Sequence, residues 1–219
     1  MSAFPGSPRL LRRGLVLIDP VTGAVLRIIA LQYNPDTMTR SLQMKGASAE
    51  GGDFAEALRL KGPAVETIKV EVEIDATDAL EANDAQTNEA GLHPQLAALE
   101  VLVHPPSSSL IAANAEASGG SLEIAPALMP LPLFVFGPKR IEPVRITELS
   151  ITEEAYDTKL NPIRAKVSLG LRVLTVDDLG FAAKGGNLFL THLIVKEQLA
   201  ARAPGATFGT LGIDGILGG

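Results

Sequence analysis

Between residues 67 and 75, apolar and polar positions alternate without a break. Ile68, Val70, Val72 and Ile74 fall on one side, and Thr67, Lys69, Glu71, Glu73 and Asp75 on the other. A period of two predicts a β-strand with one buried face and one face that is wet or at an interface. Residues 165–173 repeat the pattern, with Val167, Leu169, Leu171 and Val173 inward. The wet faces of these two strands differ in charge tendency, which suits pairing within one sheet. Residues 140–146 also alternate, but the apolar parity shifts by one residue at 149–153, so a β-bulge is predicted near Thr147. A short apolar strand over 133–136 stops at Gly137-Pro138. Strands at 15–18 and 24–32 flank Asp19-Pro20-Val21-Thr22-Gly23, the makings of a hairpin.

Leu92, Leu96, Leu99 and Val103 recur at helical spacing until Pro105 and Pro106 stop them, which predicts a helix packed on the sheet. Residues 78–86 read as helical or irregular. A further helix at 187–201 carries Phe189, Leu190, Leu193, Ile194 and Leu199. Isolated helices of this length are marginal in water, so it is expected to dock on a neighbouring protein. The glycine-rich tail from residue 204 has no core of its own and is expected to be disordered or ordered by a partner. Three other stretches read as irregular: the Pro- and Ser-rich first eight residues as disordered, 44–60 as an exposed mobile loop, and the Ser-, Ala- and Gly-rich 105–120 as a protruding linker. The chain is thus expected to be mainly β, of α+β class. It divides into a flexible N-terminus (1–13), a β-domain (14–175) with a packed helix, and a docking segment of helix and tail (176–219).

Composition narrows the function classes. Apolar residues make up 46% of 219 and aromatics 4%, with no Trp, so Val, Leu, Ile and Ala must build the core and little is left to stack on a base or sugar. A net charge of −6 argues against nucleic acid or anionic lipid as partner. Without cysteine there is no disulfide, thiol nucleophile or thiolate metal ligand. The apolar stretch after Arg12-Arg13 is broken at Asp19-Pro20, too soon for an export signal, and the Pro-broken run at 125–136 is too short to span a bilayer. Synthesis and assembly in the cytoplasm, with no membrane partner, is the expectation.

Catalytic patterns are sparse. His93, His104 and His192 form no His-x-x-x-His pair and are expected at surface or capping positions. Glu153-Glu154 and Asp177-Asp178, taken as strand neighbours, point to opposite faces and make no dyad. There is no Gly-x-Gly-x-x-Gly, P-loop or Gly-x-Ser-x-Gly. No catalytic residue, metal ligand or cofactor is assigned.

Two separated signatures place a turn-forming Asn-Pro beside a strand. One is Tyr33-Asn34-Pro35 followed by Thr39-Arg40-Ser41. The other is Asn161-Pro162-Ile163-Arg164-Ala165, running into Lys166-Val167-Ser168-Leu169-Gly170-Leu171-Arg172-Val173. Between them come Gly62-Pro63, a strand ending in Asp75-Ala76-Thr77-Asp78, the Leu-rich helix and the 132–137 strand. In this order, residues 14–175 resemble the N-terminal domain of tube and baseplate proteins of contractile, phage-tail-like injection systems, some of which carry a LysM domain behind it. Residues 176–219 show no LysM pattern, so peptidoglycan binding is not implied. The resemblance implies a tail-tube-like β-barrel or split β-sandwich and a noncatalytic baseplate or tube-adaptor subunit. Such a subunit would work in a homo-oligomeric ring, expected to be a hexamer, joining the spike or hub protein to the inner tube protein among the baseplate wedge proteins. A tube cap is the related alternative, and a small hydrolase acting on cell wall or cargo is the one from another class. Arg164, Lys69, Glu71, Glu73, Phe189 and Leu193 are the candidate interface residues. For Arg164 an exposed strand-start arginine and an intersubunit salt bridge both stand open. Asn34 is expected to hold its turn through an Asx bond.

Overall fold

A computed structural model describes residues 13–32, 35, 37–46, 59–119 and 128–216. Its strands are β1 (Gly14–Ile18), β2 (Val25–Ala30), β3 (Met38–Gln43), β4 (Val65–Asp75), β5 (Leu131–Val135), β6 (Ile141–Tyr156) and β7 (Pro162–Val173). They form one antiparallel sheet in the order β2-β1-β5-β6-β7-β4-β3. The sheet does not close into a barrel, so the barrel expectation gives way to an open mixed α+β fold with edges at β2 and β3.

The long strand β6 divides the sheet into two wings. Its first residues, Ile141 to Pro143, pair with β5, and from Val144 onward it pairs with β7. Leu15, Ile29 and Phe134 from one wing and Val70, Val72, Leu169 and Leu171 from the other meet in a single core. The alternation of β4 and β7 explains this directly: Ile68, Val70, Val72 and Ile74 are buried, as are Val167, Leu169, Leu171 and Val173. The bulge falls at Thr147, where the pairing steps from Ile146 opposite Leu171 to Glu148 opposite Gly170. A side chain at Gly170 would crowd Glu148 Cβ at 2.9 Å, so the extra residue on β6 is accommodated by the missing one on β7.

The β1–β2 hairpin closes through Asp19, whose Oδ1 accepts the amides of Val21 and Thr22 while Gly23 takes φ +75°. After β4 come α1 (Thr77–Glu81), α2 (Ala85–Ala90) and α3 (His93–Glu100), and α3 presses Leu96 and Leu99 into the core behind Leu92. The Asn161-Pro162 turn anchors this helical corner. Asn161 donates to Asp157 Oδ2 and Glu89 O, and Pro162 O accepts the Leu92 amide.

Three expectations need correction. The 105–120 stretch is not a linker but contains α4 (Ser107–Ser118), because its alanines carry helix propensity that outweighs the flanking serines. Asp177 and Asp178 are not strand neighbours. They lie in the first turn of α5 (Val176–Leu179), where Asp178 closes a capping box with Thr175. The C-terminal helix α6 (Lys184–Ala200) packs on its own chain, with Gly185, Gly186 and His192 buried and Phe189 against the core. The tail beyond it forms a short, exposed 3-10 helix, Phe208–Leu211. Tyr33, Asn34, residues 1–8 and most of the stretch expected to loop at 44–60, namely 47–58, lie outside the described residues.

Candidate functional site

β2 ends the sheet on one side, and its outer backbone edge has no strand partner among the described residues. Edge strands are ordinarily blunted by lysine, proline or charge. This one is apolar: Val25, Leu26 and Ile28 are 60%, 55% and 67% exposed. Cavities border it on both faces. One of ≈420 Å³ lies toward α3, lined by Ile28, Leu31, Gln95 and Ala98, and one of ≈430 Å³ lies toward α6, lined by Val16, Val25, Leu188 and Thr191. An extended segment adding to β2 would offer alternate side chains to the two cavities in turn.

A second feature closes the opposite part of the core. Glu142 on β6, 1% exposed, accepts Lys196 Nζ at 3.1 Å on its Oε1, and His192 Nε2 lies 2.8 Å from the same oxygen. Lys196 also reaches Glu66 Oε2 at 3.1 Å, and Arg40 Nε donates to Glu66 Oε1 at 2.6 Å. β3, β4, β6 and α6 are thereby tied through two buried carboxylates. Burial alone would push the Glu142 carboxyl up. The adjacent His192 imidazole and the nearby Lys196 charge outweigh it and hold it down at about 2. Beside this network Arg140 lies over the Phe136 ring at 5.7 Å, and Arg13 stacks on the same ring at 4.5 Å.

No protein-family model matches this chain, and no curated protein matches it in sequence. Its surfaces must speak for themselves.

The structure disperses the candidate interface residues. Arg164 pairs within its own chain, with Asp75 at 2.9 Å and Glu73 at 3.4 Å, and Asp75 raises its pKa. Lys69, Glu71 and Glu73 line the exposed face of β4 opposite Gly170, Ser168 and Lys166 of β7. Phe189 is turned into the core, and Leu193, one α6 turn on, is 38% exposed. The β4 face and the α6 residues therefore belong to separate surfaces.

The histidine expectation is corrected at one position. His93 and His104 are exposed, whereas His192 is buried against Glu142. A signal for this network exists in the sequence. Glu66 has the parity of Ile68 and Val70, and Glu142 that of Val144 and Ile146, so each strand places a carboxylate on its core face. Such groups need polar or cationic partners, and His192 and Lys196 sit one helical turn apart to supply them.

Proposed function

We propose that this chain is a noncatalytic assembly subunit: a baseplate or tube adaptor of a contractile injection system that forms a ring and joins the spike hub to the inner tube. The observation that carries the reading is the apolar edge of β2, without a strand partner among the described residues and flanked by a cavity on each face. Sheet extension across such an edge is directional, so each subunit presents a fixed surface on which the next layer can build. The order of motifs across residues 14–175 supports the same family of parts. The antiparallel sheet with α3 packed against its core is compatible with it.

Deleting the gene in its producing cell tests this. Electron microscopy is expected to show sheath and tube subunits unassembled, or tubes without a spike, and Val25→Lys with Ile28→Lys should reproduce the defect in a folded protein. Normal contractile particles in the deletion strain would overturn the proposal.

A further inference from the structure

Next to the buried network, a cavity of ≈350 Å³ opens among Arg40, Lys139, Arg140, His192 and Lys196, with Phe136 and Leu199 as its apolar wall. Four permanent cations face two buried carboxylates, Glu66 and Glu142, so the basin keeps a positive surplus in a chain whose net charge is −6. The surplus is available. Arg40 and Lys196 are engaged by the carboxylates, but Arg140 reaches Glu142 only at 3.9 Å and otherwise donates to the thioether of Met38 at 3.6 Å. Sulfur is a weak acceptor. Lys139 is exposed and makes no ion pair among the described residues.

We infer that this basin is a docking site for an acidic peptide segment of a partner protein, one carrying carboxylates beside an apolar side chain. Charge complementarity selects the carboxylates, because a neutral or basic segment would leave the Lys139 and Arg140 charges uncompensated or repelled. Phe136 and Leu199, the latter 38% exposed, supply the apolar contact that a bare anion would not use. β3, which contributes Arg40, is the outermost strand on this side, so an extended segment has an edge to run along. Residues two apart on such a segment face the same way, so carboxylates and an apolar side chain spaced by two share the face over the basin. This chemistry holds whether or not the chain works in a ring.

The test uses the full chain and a short fluorescent peptide Glu-Ser-Leu-Ser-Glu, which when extended puts both glutamates and the leucine on one face, with its Gln analogue, single-stranded DNA and inorganic phosphate as comparison probes. Saturable binding of the Glu peptide is expected, weakened about tenfold or more by Lys139→Glu with Arg140→Glu and weakened by added salt. Both substitutions fall in the loop between β5 and β6, and an unchanged melting curve would show that the fold persists. Four results would each overturn the inference: no binding of the Glu peptide, equal binding of the Gln analogue, equal binding of the DNA, or displacement of the peptide by millimolar phosphate. Equal binding by the charge-reversed variant would place the peptide elsewhere and sink it as well.

Discussion

Replacing Glu142 by Gln keeps the shape of a fully buried side chain while removing the charge that His192 and Lys196 address. The carboxyl is held at about 2 in the folded chain, against an ordinary value of 4.5. That difference corresponds to about 3 kcal/mol of stability. The sign follows from the direction of the shift. A folded-state pKa below the unfolded one gives stability that is fully present above pH 4.5 and is lost as the pH falls toward 2. Other carboxylates, Asp75 and Asp178 among them, are also held below their ordinary range, so the whole chain should weaken in acid. The comparison with Glu142→Gln isolates one contribution. Urea unfolding of both proteins between neutral pH and pH 2.5 should show a gap of about 3 kcal/mol at neutral pH that narrows steadily below pH 4.5, with unchanged m-values. A gap that stays constant across the series would refute the assignment of that stability to the Glu142 charge.

Truncation before Lys184 should unfold the domain, since it uncovers the core at Phe189 and strips both His192 and Lys196 from Glu142; a truncated chain with a native circular dichroism spectrum would contradict this. Val70→Asp puts an unpaired charge at a site 2% exposed and should cost several kcal/mol, whereas Glu71→Lys on the outer face should stay within about 0.5 kcal/mol; equal thermal shifts would refute the strand register. Gly170→Val should lower the melting temperature well beyond Ser168→Val, because only the former meets the bulge at Glu148 and Thr147. Arg164→Ala should leave the melt unchanged within error, as its pairs with Asp75 and Glu73 are exposed on the arginine side.

The strands were legible because a period of two survives any tertiary arrangement, and even the bulge at Thr147 announced itself as a parity shift. The fate of α6 was not legible. An amphipathic helix looks the same whether its apolar face meets its own core or another protein. Deciding between them required knowing that β6 buries a carboxylate needing His192 and Lys196. α4 was missed for the reverse reason. It buries no residue, so no periodic face marks it and only its alanine content speaks for a helix. Arg164 shows a third limit: Asp75 and Glu73 are distant in sequence, and only the β4–β7 register brings Asp75 opposite it and Glu73 to the diagonal position.

The two edges of the sheet are chemically unequal, and that inequality bears on assembly. β3 presents Thr39, Arg40, Ser41 and Gln43 around one exposed apolar residue, Leu42, with a basic basin behind it, and so is more polar than β2 and better protected from indiscriminate pairing. β2 has Arg27 as its one charge among exposed Val25, Leu26 and Ile28. Its bulge opposite the Leu17–Ile18 step distorts the ladder with β1 without adding polarity. An edge left this apolar is a liability unless a partner covers it, whereas an edge guarded by charge admits only a partner of opposite charge. An exposed apolar edge and a predominantly polar one suit different neighbours, so the surfaces that cover β2 and β3 are expected to differ in chemistry.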